Sequence, residues 1–306
     1  MRIGLMIGAT PGSDPSLEGV IRFSREAETS GFDNLWMANV FGFDAITTLA
    51  LIGRETSRIG LGTAVVPTYP RHPSAIAQQA LTTGVAAGGR FSLGIGLSHK
   101  MVIEDMLGLS YDRPARHMRD YLSVLGPLLR GVPVDFAGED YRVKLGLDVP
   151  GVKPVPLIVA ALGPLMLKIA GELADGTTTW MTGPKTLEEY IIPGIADAAK
   201  AAGKPAPIVV AGLPIALTTD VDAAQQKIAR NLQIYGMLPS YRAMLDREGA
   251  AGPADVAMLG DESALRAQLQ RLRDIGVTDF SAAMVKVEDG SLERTREFLA
   301  AECARA

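Results

Sequence analysis

The stretch GGRFSLGIGLSHK, residues 88–100, decides between two folds for this chain. A short run of strand formers, Phe91 to Leu93, ends in Gly94-Ile95-Gly96, and Ser98 and His99 follow almost at once. Two glycines one residue apart after a strand suggest a dinucleotide-binding fingerprint. That fingerprint needs a third glycine three residues after the second, and this chain has His99 there. The alternative is the open end of another parallel sheet, where glycines let a flat ligand approach the backbone.

Strand-like and helix-like segments alternate along the whole chain, and the segment quoted above is the fourth strand. Apolar runs predict strands at 2–8, 33–37, 59–66, 90–96, 155–161, 176–180, 207–217 and 278–285. Helical patterns lie at 15–30, 43–57, 74–87, 114–130, 164–174, 186–202, 221–235, 262–275 and 289–304. Eight βα units in 306 residues favour an α/β fold of the closed (β/α)8 type, a TIM barrel, over a doubly wound sheet.

Two segments depart from the simple repeat. Residues 131–153 alternate on either side of Gly138, which predicts a hairpin insertion, and residues 236–260 predict extra helix near the barrel mouth. Neither segment has the length or composition of an independent domain. We therefore expect one barrel domain over residues 1–306.

Composition excludes several classes of partner. The 34 acidic and 30 basic residues give a net charge of −4, and the basic residues are scattered, so neither nucleic acid nor an anionic membrane surface is an expected partner. No apolar run approaches the roughly 18 residues of a membrane span, and the first apolar run is too short for a signal peptide. We expect a cytoplasmic protein. Cys303 is the single cysteine, and no histidines or carboxylates stand at metal-ligand spacing, so no metal is expected.

Three blocks of sequence carry a family resemblance. They are GFDNLWMANVFGFDAITTLA at 31–50, RIGLGTAVVPTYPRHPSAIAQQALTTGVAAGGRFSLGIGLSH at 58–99, and PLIVAALGPLMLKIAGELADGTTTW at 156–180. Their order and spacing around a predicted barrel resemble the luciferase-like monooxygenase superfamily of flavin- and deazaflavin-dependent oxidoreductases. Among its branches, the chain most resembles the one that uses coenzyme F420, a 5-deazaflavin hydride carrier.

The resemblance implies a cofactor site along the strand ends. It implies a non-prolyl cis peptide at Ala64-Val65 that backs the central ring of the deazaflavin, and it places the phosphate-bearing tail in the loop 161–164. The full set of expected cofactor contacts is Asn39, Thr63, Ala64, Val65, Gly96, Ser98, Ala161, Leu162, Gly163 and Pro164. The residues themselves support the loop, because a proline in the first helical turn after glycine leaves backbone N–H groups free for a phosphate. An ordinary buried strand end and a purely structural turn are the alternatives.

Asn39 and His99 are the candidate catalytic residues. Sugar-phosphate dehydrogenases of the family have an Asp-His pair where this chain has Asn39 and Val40, and valine cannot accept a proton. Asn39 can still form a hydrogen bond near the cofactor ring, although a solvated turn asparagine fits equally well. His99 stands where those dehydrogenases have a glutamate thought to act as acid. An imidazole can donate a proton near neutral pH, or it can simply bond to a neighbouring backbone group.

Apolar side chains occupy the expected substrate positions. Trp180 and Met181 replace the polar and lysine contacts that the sugar-phosphate branch makes to a substrate phosphate, and Phe41 follows the second strand. These residues predict an uncharged, apolar substrate, although a tryptophan is often simply part of the core. Of the remaining histidines, His72 is expected to cap a helix and His117 to lie on the surface.

The leading hypothesis is a coenzyme F420-dependent reductase that delivers hydride from the reduced cofactor to an electron-poor alkene or carbonyl. An FMN-dependent monooxygenase of the same fold is the first alternative, and a non-catalytic deazaflavin- or flavin-binding barrel is the second. The expected partner is a small molecule. A homodimer is compatible with the sequence, which does not determine the oligomeric state.

Overall fold

In the computed structural model, which describes residues 1–8 and 14–305, parallel strands close into a barrel. The strands of this described part are β1 (Arg2–Ile7), β2 (Asn34–Met37), β3 (Gly60–Thr63), β4 (Val66–Pro67), β5 (Phe91–Gly96), β6 (Val134–Ala137), β7 (Arg142–Leu145), β8 (Leu157–Ala160), β9 (Gly176–Trp180), β10 (Ile208–Leu217), β11 (Met258–Gly260) and β12 (Asp279–Met284). The ring runs β1-β2-β3-β5-β8-β9-β10-β12 and returns to β1. The predicted (β/α)8 TIM barrel is confirmed.

Helices connect the strands and cover the barrel. They are α1 (Leu17–Thr29), α2 (Ala45–Glu55), α3 (Pro73–Ala86), α4 (Pro114–Leu129), α5 (Pro164–Leu173), α6 (Pro184–Thr186), α7 (Ile192–Ala201), α8 (Val221–Asn231), α9 (Gln233–Met237), α10 (Pro239–Glu248), α11 (Glu262–Asp274) and α12 (Ser291–Cys303), with π-helical turns at Val102–Met106 and Leu187–Ile191 and a 3-10 turn at Pro253–Val256. Aspartates begin α2, α8 and α11, because Asp44, Asp220 and Asp261 each accept a first-turn backbone N–H.

The structure corrects three predicted elements. The strand expected at 59–66 is two strands, because the chain crosses a cis peptide bond at Ala64-Val65 and strand pairing resumes only at Val66. The helix expected at 221–235 ends at Asn231, and α9 follows it. Strand β11 was not predicted; it is only three residues long and extends the sheet beside the last residues of β10, outside the closed ring.

Two segments stand outside the βα repeat. In the first, β6 and β7 pair antiparallel, with Val134 opposite Leu145. In the second, α10 is fixed beside the carboxyl end of β9, because the Glu248 carboxylate accepts the backbone N–H groups of Lys185 (3.1 Å) and Thr186 (2.7 Å). Among the described residues, no helix is long and apolar enough to cross a membrane.

The barrel interior changes in character from one end to the other. At the amino end, Asn34 donates to the Asp279 carboxylate at 2.9 Å. In the middle, Trp36 is 4% exposed and packs with Ile158 and Val210, and a side chain at Gly62 would lie 2.3 Å from its ring. At the carboxyl end, strand alternation brings inward the small residues Ala38, Ala64, Ala160 and Gly212, together with Trp180, which pairs with Gly212 in register. The loops after β2, β3, β5, β8 and β9 meet at this carboxyl end of the barrel.

Candidate active site at the carboxyl ends of the strands

The ends of β3 and β5 are locked together beneath the cis peptide. The Thr63 hydroxyl donates to the Gly94 carbonyl at 2.7 Å and accepts the Gly94 N–H at 2.8 Å. Thr63 is fully buried, so its side chain ties the strands together and has no free polar atom for a ligand. Ala64 and Val65 above it are partly exposed. A side chain at Gly96 would lie 2.7 Å from Val65, so glycine allows this close approach.

His99 lies half-buried beyond the carboxyl end of β5, one residue after Ser98. Ser98 has a positive φ of 60°, and its carbonyl accepts the Tyr111 hydroxyl at 3.4 Å. Among the described residues, no side chain forms a hydrogen bond or ion pair with the His99 imidazole. Burial lowers the pKa of His99 below its usual value. Both ring nitrogens are therefore free to interact with a ligand.

Asn39 lies beside the cis peptide but is committed to the backbone. Its N–H donates to the Val65 carbonyl at 3.3 Å, and its side-chain oxygen accepts the Ala45 N–H at 3.0 Å. The side chain thus holds the loop after β2 against the start of α2. In that loop Phe41 is 70% exposed, which is high for an aromatic side chain.

The loop after β8 presents an uncapped helix start. Ala161 is buried, Leu162 and Gly163 are partly exposed, and Pro164 is exposed at the first position of α5. No side chain caps the helix, and an added Cβ at Gly163 would meet nothing within 4 Å. The first backbone N–H groups of α5 therefore face open space and can donate hydrogen bonds to an anionic group.

The carboxyl end of β9 meets the helices that follow β10. Trp180 is half-buried, and Met181 is buried with a positive φ of 54°. The Trp180 ring meets the ring of Tyr235 in α9 edge-on, with 6.1 Å between the ring centroids. The Tyr235 ring in turn meets that of Tyr241 in α10, with 5.0 Å between centroids. The Tyr241 ring lies 5.8 Å from the His99 ring. We call these four side chains the aromatic wall.

Sequence reasoning missed the two tyrosines of the wall. Both lie in a short-helix region with no clear periodicity, and only their place near the predicted mouth insertion hinted at a role. The expected site residues reach the same end of the barrel from different strands: Asn39 after β2, Ala64 and Val65 after β3, His99 after β5 and Trp180 at the end of β9.

His117 is a correction, because it was expected on the surface and is 7% exposed. Its Nε2 lies 2.9 Å from the Thr68 hydroxyl, and its ring stacks on Tyr69 at 4.1 Å with an interplanar angle of 4°. Burial lowers the pKa of His117, and the nearby charges of Asp140 and Asp120 partly oppose this shift. His72 begins α3 and accepts the Ser74 N–H at 3.3 Å, so its expected capping role is confirmed.

Two further groups carry no chemistry at this site. Burial raises the pKa of Cys303 to about 12, so the thiol stays protonated and unreactive. In the described part of the chain, no three histidine, cysteine or carboxylate side chains are grouped as metal ligands.

A barrel whose interior opens at the carboxyl ends of its strands, beside an unpaired imidazole and an uncapped helix, has the architecture of a TIM-barrel enzyme. The chain belongs to the luciferase-like monooxygenase family of oxidoreductases, whose model matches residues 1–300. This confirms the family resemblance drawn from the sequence.

Relatives and solved structures agree with this assignment. A Mycobacterium tuberculosis protein, whose name assigns it to the coenzyme F420-dependent oxidoreductases, is 29% identical and covers 98% of both chains. The 5,10-methylenetetrahydromethanopterin reductase of Archaeoglobus fulgidus is 32% identical over 74% of this chain and 69% of its own. The coenzyme F420-dependent tetrahydromethanopterin reductase of Methanopyrus kandleri has the same fold, with a TM-score of 0.79 and 23% identity over 98% and 97% of the two chains.

Proposed function

We propose that the protein is a coenzyme F420-dependent oxidoreductase that transfers hydride from the reduced deazaflavin to an activated alkene or carbonyl of an apolar substrate. The observation that carries the proposal is the half-buried His99 imidazole, which has no side-chain hydrogen-bond partner among the described residues and lies at the same end of the barrel as the cis peptide and the start of α5. The names of the relatives support the choice of cofactor.

The residues present fit a deazaflavin. A tricyclic ring is flat, and the strand-end residues Ala64, Gly96 and Ala160 have side chains no larger than a methyl group. Ala64, Val65, Gly96 and Ser98 would border the ring. The cofactor's phosphate fits the uncapped start of α5, where Leu162, Gly163 and Pro164 leave the backbone accessible.

The exposed side chains around the mouth favour an apolar substrate. Phe41 is 70% exposed, Met101 49% and Met237 65%, and they come from the loops after β2, β5 and β10. Apolar side chains left open to water around one cavity are typical of a small-molecule site. Phe41, Trp180 and Met181 stay our candidates for substrate contact, with Met181 acting through its backbone because its side chain is buried.

The chain's own residues orient the substrate and handle the proton. When bound, the deazaflavin supplies hydride chemistry and does not activate oxygen in the way FMN does. A ring nitrogen of His99 donates the proton that neutralises the reduced substrate, and solvent at the rim restores it. Asn39 keeps the loop after β2 in place, and the aromatic wall limits the access of water.

Titrating the protein with oxidised coenzyme F420 and with FMN, and following the fluorescence of each, tests the proposal. We expect saturable quenching with coenzyme F420 and much weaker binding of FMN. Adding benzylideneacetone to protein with reduced coenzyme F420 should then restore the absorbance of the oxidised cofactor. Preferential FMN binding with oxygen consumption would instead favour a monooxygenase, and binding without turnover of any acceptor would favour a non-catalytic barrel.

A further inference from the structure

The aromatic wall forms one continuous surface across the carboxyl end of the barrel. Its rings follow one another from His99 through Tyr241 and Tyr235 to Trp180. The centroids of successive rings lie 5.8, 5.0 and 6.1 Å apart. His99 follows β5 and Trp180 ends β9, so the surface passes the end of β8, which lies between those strands. The rings meet tilted or edge-on, the arrangement that aromatic groups prefer, and such a surface attracts a further aromatic ring.

Polar groups in this surface lack hydrogen-bond partners among the described residues, and the indole N–H of Trp180 is buried without one. The Tyr241 hydroxyl forms no hydrogen bond with any described residue, although the side chain is largely covered. Burial raises the pKa of Tyr241, and the neighbouring Tyr235 raises it further by a smaller amount. The phenol therefore keeps its proton, and its O–H can donate a hydrogen bond to a ligand.

The charged residues of α10 are engaged elsewhere. Arg242 donates to the carbonyls of Ala250 (2.6 Å) and Ala251 (2.9 Å), and Glu248 caps α6. The exposed side chains of Met101 and Met237 are close in sequence to His99 and Tyr235. The surface is therefore uncharged, and it does not suit a phosphate or carboxylate substrate.

We propose that the aromatic wall is the binding site for a planar aromatic or conjugated ring of the substrate, and that a carbonyl oxygen on that substrate accepts a hydrogen bond from Tyr241. This rests on the proposed function, since it specifies the substrate class of the same site. The ring packs against Tyr235 and Trp180, and the hydroxyl of Tyr241 aligns the carbonyl group beside His99.

A matched pair of ligands tests the preference for an aromatic ring. Benzylideneacetone and 4-cyclohexyl-3-buten-2-one share the same enone and differ only in the ring. Calorimetric titration of the full chain, with and without oxidised coenzyme F420, measures binding without turnover. We expect the aromatic ligand to bind about 3–10-fold more tightly in at least one condition. Equal affinity in both conditions would overturn the proposal.

Variants separate the two parts of the site. Tyr235→Leu should abolish the preference for the aromatic ligand, whereas Tyr241→Phe should weaken both ligands about 3–10-fold and keep the preference. Tyr190→Leu is the control, because Tyr190 packs under Arg247 of α10 at 3.9 Å and is not part of the wall. Unchanged binding in Tyr241→Phe, or loss of the preference in Tyr190→Leu, would contradict the assignment.

The outcome is independent of the cofactor assignment. If the aromatic preference appears while coenzyme F420 fails to bind, the wall is a ring-binding site and the proposed function is wrong. If coenzyme F420 binds and is turned over but the two enones bind equally, the proposed function stands and the substrate class is wrong.

Discussion

His99 and His117 are the same residue type in the same protein, and burial lowers the pKa of both. Their surroundings differ. His117 is held by Thr68 at 2.9 Å and stacks flat on Tyr69 at 4.1 Å. The His99 ring centroid lies 5.8 Å from that of the tilted Tyr241 ring, and its imidazole has no side-chain hydrogen-bond partner in the described part of the chain.

The difference separates a structural histidine from an available one. A buried polar ring is normally satisfied by its neighbours, as His117 is. A half-buried imidazole without such neighbours, at the carboxyl end of a barrel, is free to bind a ligand and to move a proton. Burial alone, and the direction of the pKa shift, would not have distinguished the two.

The largest expected effect is catalytic and belongs to His99. His99→Gln keeps a hydrogen-bonding side chain but cannot donate a proton as imidazole does, so turnover of an enone should fall about 10²–10⁴-fold. Affinity for coenzyme F420 should stay near that of the wild type. Single-turnover kinetics with reduced coenzyme F420 measure the step directly. A wild-type rate in the variant would mean that solvent or substrate supplies the proton.

The second effect concerns stability and belongs to His117. His117→Ala removes a buried ring and leaves Thr68 without its partner, so the free energy of unfolding should fall by about 2–4 kcal/mol. His99→Ala, at the open rim, should change it by no more than about 0.5 kcal/mol. Urea denaturation of both variants measures the difference. Equal losses of unfolding free energy in the two variants would contradict the assignment of a structural role to His117 alone.

The third prediction concerns the proposed phosphate site in the loop after β8. Gly163→Leu should weaken coenzyme F420 binding about 10-fold or more, because a side chain there would cover the backbone N–H groups at the start of α5. Folding should be unaffected, since the space around Gly163 is open. Gly252→Leu is the matched control, because its surroundings are equally open and it lies outside the loop 161–164. Equal affinity in Gly163→Leu and the wild type would move the phosphate site elsewhere.

The smallest effect is the pH dependence of stability. The pKa of His117 is lower in the folded than in the unfolded protein, so the unfolded chain binds the extra proton first on acidification. Stability should therefore be full above the unfolded pKa of about 6.5 and decline as the pH falls through the lowered folded value. His117→Phe should remove this component from the slope of stability against pH below about pH 6.5. A slope unchanged in that variant would assign the pH dependence to other groups.

Much of the barrel could be predicted because its strands are buried on both faces and read as apolar runs, such as Leu157–Ala160. Apolar periodicity did not show the break after Thr63, whereas the family resemblance implied the cis peptide at Ala64-Val65 that the structure has. His117 was misassigned because Arg113, Arg116 and Arg119 surround it in sequence, whereas the helix turns it toward the barrel. The aromatic wall was missed because its members come from three separate segments and meet only in the folded chain.

Proton NMR of the histidine rings tests the central claim most directly, because the chain has only three histidines and each can be assigned with a single variant. The account predicts that adding oxidised coenzyme F420 shifts the His99 ring signals and changes the pH at which they titrate. The signals of His72 and His117 should stay where they are. Unchanged His99 signals at saturating coenzyme F420, or a shift confined to His117, would contradict the account.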